Sequence, residues 1–149
     1  MQALYANAVM TGFAEALTAD GFAVEQGKWS TSRTLLFHRK QARVACFILL
    51  ECSAKRDAFT FSIAWSTKDV FPIQLALRLL MPDDAPVDGE LFFRAPWLWM
   101  DNRVDTWWEL SRESDLPAAL ADAIDRFRRW GLPYFAEVAA QLANPVNSV

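Results

Sequence analysis

Three strand-like runs joined by short polar links occupy residues 34–66, and they constrain the fold more than any other part of the chain. The run Val44–Cys52 is apolar at every position before Glu51, which is typical of a central strand covered on both faces. In residues 59–66, large apolar residues alternate with small or polar ones, so one face is predicted to be core and the other wet or partly covered. Links this short can join only neighbouring antiparallel strands, and the region therefore predicts an antiparallel meander.

Helical periodicity flanks the meander on both sides. Residues 3–20 carry apolar side chains at the spacing of an amphipathic helix, and Gly21 is placed to end that helix in the left-handed conformation. A second helix is predicted to begin at Ser114 or Asp115. We expect Gly131 and Pro133 to break it before a last helix, because neither residue favours a helix interior.

Two segments lie between the meander and the C-terminal helices. Residues 69–81 fit either a short helix or an alternating strand, and we favour the helix, while residues 91–100 are predicted as a strand that Pro96 interrupts. No repeat or linker divides the sequence, so residues 1–149 are expected to form a single domain. The predicted fold class is α+β: a single antiparallel sheet of about four to six strands with the N- and C-terminal helices packed on one face.

Charge and hydropathy argue against several functional classes. The net charge of −3 is unlike the basic balance of a dedicated nucleic-acid binder. No apolar stretch is long enough to predict a membrane span, and the opening MQALYANAVMTGF lacks the basic and apolar regions of a signal peptide. Cys46 and Cys52 fall on one predicted strand, roughly 20 Å apart, so they cannot pair with each other. Reduced cysteines and the missing leader predict a cytoplasmic protein.

Few residues have the types and spacing of catalytic machinery. The single histidine, His38, excludes sites built from several histidines, and the five glycines form no phosphate-binding motif. If residues 40–42 close a hairpin, Cys46 shares a sheet face with His38, but a cysteine within an apolar strand is expected to be an inert thiol. The acidic run 83–90 does not match a calcium-binding loop. We therefore predict no catalytic residues, no metal site and no cofactor.

A tryptophan-rich segment is the most distinctive feature of the chain. It combines aromatic rings with carboxylates and arginines, which suits a ligand pocket or a protein-binding patch. The alternative is a core role, in which Trp97 and Trp99 share a strand face against the C-terminal helices and Trp107 or Trp108 closes the core. The candidate binding residues are Arg94, Trp97, Trp99, Asp101, Asp105, Trp107 and Trp108.

The order of several short motifs resembles a family of bacterial proteins catalogued as a domain of unknown function. The matching pieces are Gly21-Phe22, Phe37-His38-Arg39, Arg94 followed by Leu98, Asp105-Thr106-Trp107-Trp108 and Gly131-Leu132-Pro133. The chain differs from that pattern at the end of the central strand, where Glu51 and Cys52 replace a Gln-Ser pair. The resemblance implies a sheet with flanking helices and supplies no activity, substrate or catalytic residue.

Two functions follow from these patterns. The first is a non-enzymatic binding or interaction protein, for instance an immunity-like or antitoxin-like partner of another protein, with the tryptophan-rich segment as its surface. The second is a small-molecule binder or minor enzyme whose pocket is lined by Arg94, Trp97 and Trp99. Neither involves nucleic acid or membrane, and an exposed tryptophan face would favour a homodimer.

Overall fold

The computed structural model describes residues 1–72, 89–100 and 106–143. Within these ranges, six strands belong to one sheet of order β1-β2-β3-β4-β5, with β6 also paired to β4, and every pairing among them is antiparallel. The predicted α+β class, with a single sheet and helices on one face, is confirmed. The helices are α1 (Ala3–Ala19), α2 (Leu116–Arg126) and α3 (Leu132–Leu142), and the strands are β1 (Ala23–Val24), β2 (Thr34–Gln41), β3 (Val44–Cys52), β4 (Ala58–Ser66), β5 (Glu90–Arg94) and β6 (Trp108–Glu109).

The end of α1 follows the sequence closely. Gly21 adopts a φ of +91°, its N–H donates to the carbonyl of Thr18 at 3.0 Å, and the N–H of Phe22 donates to the carbonyl of Leu17 at 2.9 Å. This is a Schellman motif, which a glycine enters without steric cost. It confirms the predicted helix end and delivers Phe22 into the core, where its side chain is 2% exposed.

The central meander forms as predicted, but its first turn lies one residue later than expected. β2 and β3 pair from Thr34 opposite Glu51 to Gln41 opposite Val44, so the turn consists of Ala42 and Arg43 rather than residues 40–42. Ala42 takes a φ of +54°, which the tight two-residue turn requires. Because side chains alternate between faces, this one-residue difference decides which residues share a face.

Two different strands pair with successive parts of the same edge of β4. β5 pairs with its second half, up to Arg94 opposite Ser62, and β6 pairs with its beginning, where Trp108 lies opposite Phe59. Between them, the hydroxyl of Thr60 donates to the carbonyl of Thr106 at 2.9 Å. The predicted strand 91–100 was wrong beyond Arg94, because Pro96 lies in the first turn of a 3₁₀ helix, Ala95–Leu98. Both parts of the tryptophan-rich segment therefore converge beside one half of β4.

The helices pack on one face of the sheet around a largely aromatic core. The ring of Phe13 in α1 lies 5.9 Å from that of Phe59 and 5.6 Å from that of Phe61. Phe127, which follows α2, lies 5.8 Å from Phe22 and 6.2 Å from Phe61. These edge-on and tilted ring contacts connect α1 and the residue that follows its end, Phe22, with β4 and with the segment after α2. Such ring pairs stabilise the fold by more than the burial of their apolar area alone.

The second face of the sheet is also buried along β4. Thr60, Ser62 and Ser66 are 0% exposed, so of the two alternatives predicted for this face, wet or partly covered, the wet one was wrong. Trp29 and Phe71 pack on this face against an apolar group made of Leu36, Ala45, Phe47, Leu49, Ala64 and Phe92. The small polar residues are tolerated there because their hydroxyl oxygens take part in hydrogen bonds.

The C-terminal helices join without the expected break. The last α-helix begins close to Pro133 as predicted, but residues Phe127–Gly131 form a π-helical turn that keeps the chain helical. The N–H of Leu132 donates to the carbonyl of Phe127, and Gly131 keeps helical dihedral angles of −75° and −50°. Pro133 then falls in the first turn of α3, where a missing N–H costs little.

Candidate functional site

The tryptophan-rich segment opens onto a cleft between α2 and the edge of the sheet. Its volume is about 350 Å³, within the range of small-ligand sites. We call it the tryptophan cleft, and its lining residues are Trp99, Met100, Thr106, Trp107, Trp108, Asp122 and Arg126.

Trp108 is held in place from three sides. Its ring stacks on Phe59 and Phe61, with centroids 5.6 Å and 5.5 Å away and planes inclined by only 10° and 15°. Its indole N–H donates to the carboxylate of Asp122 at 2.8 Å. These contacts leave the indole little freedom to turn, so Trp108 offers a rigid aromatic surface to the cleft.

Asp122 and Arg126 lie one helical turn apart on α2 and form an ion pair within the cleft. The Nε of Arg126 lies 3.2 Å and 3.1 Å from the two oxygens of Asp122. The same guanidinium lies over the ring of Trp99, 5.4 Å from its centroid. The rings of Trp99 and Trp108 are 6.3 Å apart and inclined by 60°. The charged pair and the two indoles thus hold one another in position.

Trp107 differs from its neighbour in what it touches. Trp99 and Trp108 pack against the main core cluster, whereas Trp107 is not part of it. The guanidinium of Arg56 lies 5.3 Å from the Trp107 ring, and Arg56 also bonds Glu109 at 2.7 Å. Trp107 is therefore a half-buried wall of the cleft that lies outside the main core cluster.

The structure divides the predicted binding residues into three groups. Trp99, Trp107 and Trp108 meet in the cleft, whereas Arg94 and the 6% exposed Trp97 do not line it. Asp101 and Asp105 lie outside the described residues. The pocket hypothesis named Arg94, Trp97 and Trp99, and of these only Trp99 lines the cleft.

Arg94 lies on the opposite face of the sheet from the ring of Trp108. One of its Nη atoms donates to Glu51 at 2.8 Å and to the hydroxyl of Ser62 at 3.2 Å, and the two charged side chains are 16% and 25% exposed. Glu51 and Ser62 flank it across the sheet, since Arg94 pairs with Ser62 in the ladder. This ion pair stabilises the second face and takes no part in the cleft.

Four lining residues were missed by the sequence interpretation: Met100, Thr106, Asp122 and Arg126. An acid and a base four residues apart on a helix are a visible signal for Asp122 and Arg126, but the same spacing describes many solvated helix faces. Asp125 and Arg129 show it on the same helix, outside the cleft. Only the packing of α2 beside β6 selects the first pair.

The Cys46 and His38 pair does not form. In the observed register His38 lies opposite Phe47 and Cys46 lies opposite Arg39, so the predicted sharing of one face was wrong. The His38 ring packs 5.1 Å from that of Phe47. Burial raises the pKa of Cys46 to about 12 and that of Cys52 to about 11, as expected for thiols held away from water.

The described ranges 1–72, 89–100 and 106–143 contain neither a candidate metal-ion cluster nor a candidate membrane-spanning helix. Within them, no three His, Cys, Asp or Glu side chains are grouped to hold a metal ion. Nor does any helix in those ranges have the length and apolar character needed to cross a membrane. The acidic run up to residue 88, and the segment 69–81 from position 73 onward, lie outside the described residues.

Comparison with protein-family models, with curated proteins and with solved structures finds no match to this chain. The resemblance to a bacterial family of unknown function therefore stays a prediction. The geometry of the tryptophan cleft remains the basis for inferring function.

Proposed function

We propose that the protein is a non-enzymatic binding protein, and that the tryptophan cleft receives a flat apolar group of its ligand or partner. The observation that supports this is the convergence of Trp99, Trp107 and Trp108 on one open cleft of about 350 Å³. Exposed indole faces lose water readily and stack on planar groups, which is why tryptophan is enriched where proteins bind.

Binding rather than catalysis agrees with the chemistry of the described lining. Its ionisable groups are Asp122 and Arg126, and they are tied to each other. A general base or nucleophile needs a free group with a partner that activates it. A rigid aromatic surface held by Phe59, Phe61 and Asp122 instead suits recognition, because a preorganised site loses little entropy on binding.

The flat group could be supplied by a small molecule or by an aromatic side chain of a protein partner. For the second case, we propose an immunity-like or antitoxin-like role towards the partner protein. We also propose that the protein is cytoplasmic. The buried, unpaired thiols of Cys46 and Cys52 are compatible with a reducing compartment.

The first test uses indole as a neutral probe of the cleft. The chain has seven tryptophans, and their indole N–H groups give separate signals in an NMR spectrum of ¹⁵N-labelled protein. Titration with indole should shift the signals of Trp99, Trp107 and Trp108 and leave that of Trp130 in place. Trp107→Ala should weaken indole binding about fivefold, since one aromatic contact contributes about 1 kcal/mol.

Trp130→Ala is the matched control, because Trp130 is 42% exposed and does not line the cleft. Its affinity for indole should equal that of the unaltered protein. If saturating indole leaves all three cleft signals unmoved, the proposal is wrong. The same two variants, used as baits, distinguish the sources: a protein captured by Trp130→Ala and lost by Trp107→Ala identifies a partner chain rather than a free ligand.

A further inference from the structure

Arg126 presents hydrogen-bond donors to the cleft that no described residue engages. Its Nε is engaged by Asp122, and its guanidinium lies over Trp99. Within the part of the chain that the structure describes, neither Nη group makes a hydrogen bond. The side chain is 40% exposed, so these donors are accessible from the cleft. A guanidinium with two adjacent Nη groups free matches the two oxygens of a carboxylate.

The carboxylate of Asp122, by contrast, is already occupied. It accepts the indole N–H of Trp108 and the Nε of Arg126, and both of its oxygens take part. A cationic ligand would compete with these donors for the carboxylate oxygens and would approach the positive charge of Arg126. The described lining holds one acid and one base, so its preference for an anion comes from the hydrogen-bond donors of Arg126 rather than from net charge.

A second arginine near the cleft, Arg56, also has an acidic partner. Arg56 lies against the ring of Trp107 and bonds Glu109. Its side chain is 52% exposed and that of Glu109 is 63% exposed, so solvent screens the pair strongly. Neither Asp122 nor Glu109 offers a carboxylate free of an arginine partner, which leaves a ligand amine without an uncommitted acid among these groups.

Arg126 is also held in a fixed position. The i,i+4 bond to Asp122 and the ring of Trp99 restrain the guanidinium, so a ligand would not have to order a mobile side chain. From these contacts we propose that the tryptophan cleft binds aromatic carboxylates, with the ring against the indoles that line the cleft and the carboxylate on the Nη groups of Arg126. This inference rests on the proposed function and specifies its ligand class.

The test compares three probes that share one ring and differ in charge: indole, indole-3-acetate and tryptamine. Binding is followed through the indole N–H signals of the labelled protein. Indole-3-acetate should bind about tenfold more tightly than indole, because a charge-assisted hydrogen-bonded pair forms with Arg126. Tryptamine should bind more weakly than indole.

Variants of two ion pairs with the same i,i+4 spacing isolate the role of Arg126. Arg126→Gln should abolish the preference for indole-3-acetate over indole, and because both probes are measured in the same variant, a general change in the cleft affects both affinities and cancels in their ratio. Arg129→Gln is the matched control, since Arg129 also faces an acid four residues earlier on the helix, at 3.8 Å, but does not line the cleft. Arg126→Lys, which keeps the charge and loses the fork, should retain only part of the preference.

The outcomes separate this inference from the proposed function. Equal binding of the three probes, tightest binding of tryptamine, or an undiminished preference in Arg126→Gln overturns the carboxylate assignment and leaves the binding cleft standing. Failure of all three probes to bind overturns both. Two sources of the same chemistry are distinguished by a short peptide ending in tryptophan: binding with a free C-terminus, lost on amidation, indicates a peptide terminus, and binding of indole-3-acetate alone indicates a small acid.

Discussion

Trp107 and Trp108 are adjacent in the chain and have different physical roles. Trp108 stacks on Phe59 and Phe61 and donates its N–H to Asp122, so it belongs to the fold as much as to the cleft. The contact described for the Trp107 ring is the exposed guanidinium of Arg56. The difference arises because successive residues of an extended chain point to opposite sides, and only one side meets the core.

We expect this difference to appear in stability. Trp108→Ala should lower the free energy of unfolding by about 3 kcal/mol, because it removes two stacked ring contacts and leaves space beneath them. Trp107→Ala should lower it by about 1 kcal/mol, since its half-buried ring lies outside the main core cluster and forms no stacked ring pair. Urea unfolding of the two variants measures both values. Equal losses would contradict the assignment of Trp107 as a cleft wall outside the main core cluster, and with it the use of Trp107→Ala as a binding variant.

For single residues, the sequence indicated which segment is distinctive but not which of its side chains face the core and which face the cleft. The tryptophan-rich segment was correctly singled out as distinctive, yet Trp97 enters the core and Trp99, two residues later, reaches the cleft. The 3₁₀ turn at Ala95–Leu98 causes this separation, because residues two apart share a face on a strand but not on a 3₁₀ helix. The position of Arg94 follows instead from its partner Ser62 in the ladder.

Helices illustrate how the same residue type acquires different roles through packing. Gly12 in α1 and Gly131 before α3 both have helical backbones, so neither is required by its dihedral angles. A methyl group at Gly12 would approach the flexible end of Leu120 at 2.9 Å. At Gly131 it would meet the ring of Phe127 at 2.7 Å and Ile63 at 3.3 Å, both buried in the core.

The alanine substitutions at Gly12 and Gly131 should therefore change the free energy of unfolding by different amounts. Gly131→Ala should lower the free energy of unfolding by about 1–3 kcal/mol, because the buried ring of Phe127 has no free space into which to move. Gly12→Ala should change it by no more than about 1 kcal/mol, since the shift of Leu120 is offset by the better helix propensity of alanine. Thermal or urea unfolding reports both. A stabilising Gly131→Ala would show that the helix junction packs less tightly than described.

Elements with strong local patterns were predictable, and those that depend on a neighbour were not. The central strand β3, the alternating strand β4 and the glycine end of α1 all carry signals within a few residues. The turn after β2 was misplaced by one residue because its polar residues allow either register, and the packing of Phe47 and Cys46 on opposite faces selects one. The π turn at Phe127–Gly131 likewise results from helix packing.

The molecule as a whole is organised around a sheet that is covered on both faces near its centre. β3 is paired along its length with β2 and β4, whereas β1 and β6 contribute two residues each at the margins. The tryptophan cleft uses one such margin, the short β6, together with α2. Because β6 has few ladder bonds, its backbone can open locally without disturbing the centre of the sheet.

Native-state hydrogen exchange should reproduce this arrangement. The amides of Ile48 and Leu50 in β3 should exchange only through global unfolding, with a free energy that falls steeply as urea is added. Those of β1 and β6 should exchange through local opening that urea hardly affects, because few bonds need to break. A ligand in the cleft should slow exchange in β6 by more than in β1. Identical protection of β6 and β3 would contradict local opening at the margin of the sheet.

The sequence by itself determined the α+β class, the antiparallel meander, the helices at both ends and the interest of the tryptophan-rich segment. Each of these follows from periodicity or from a residue such as Gly21 whose conformational preference acts locally. Only the tertiary structure decided that β5 and β6 share one edge of β4. It also decided that Arg94 and Trp97 lie outside the cleft and that Asp122 and Arg126 line it. These outcomes depend on contacts between residues distant in the chain, and no local pattern specifies which exposed helix face will meet which strand.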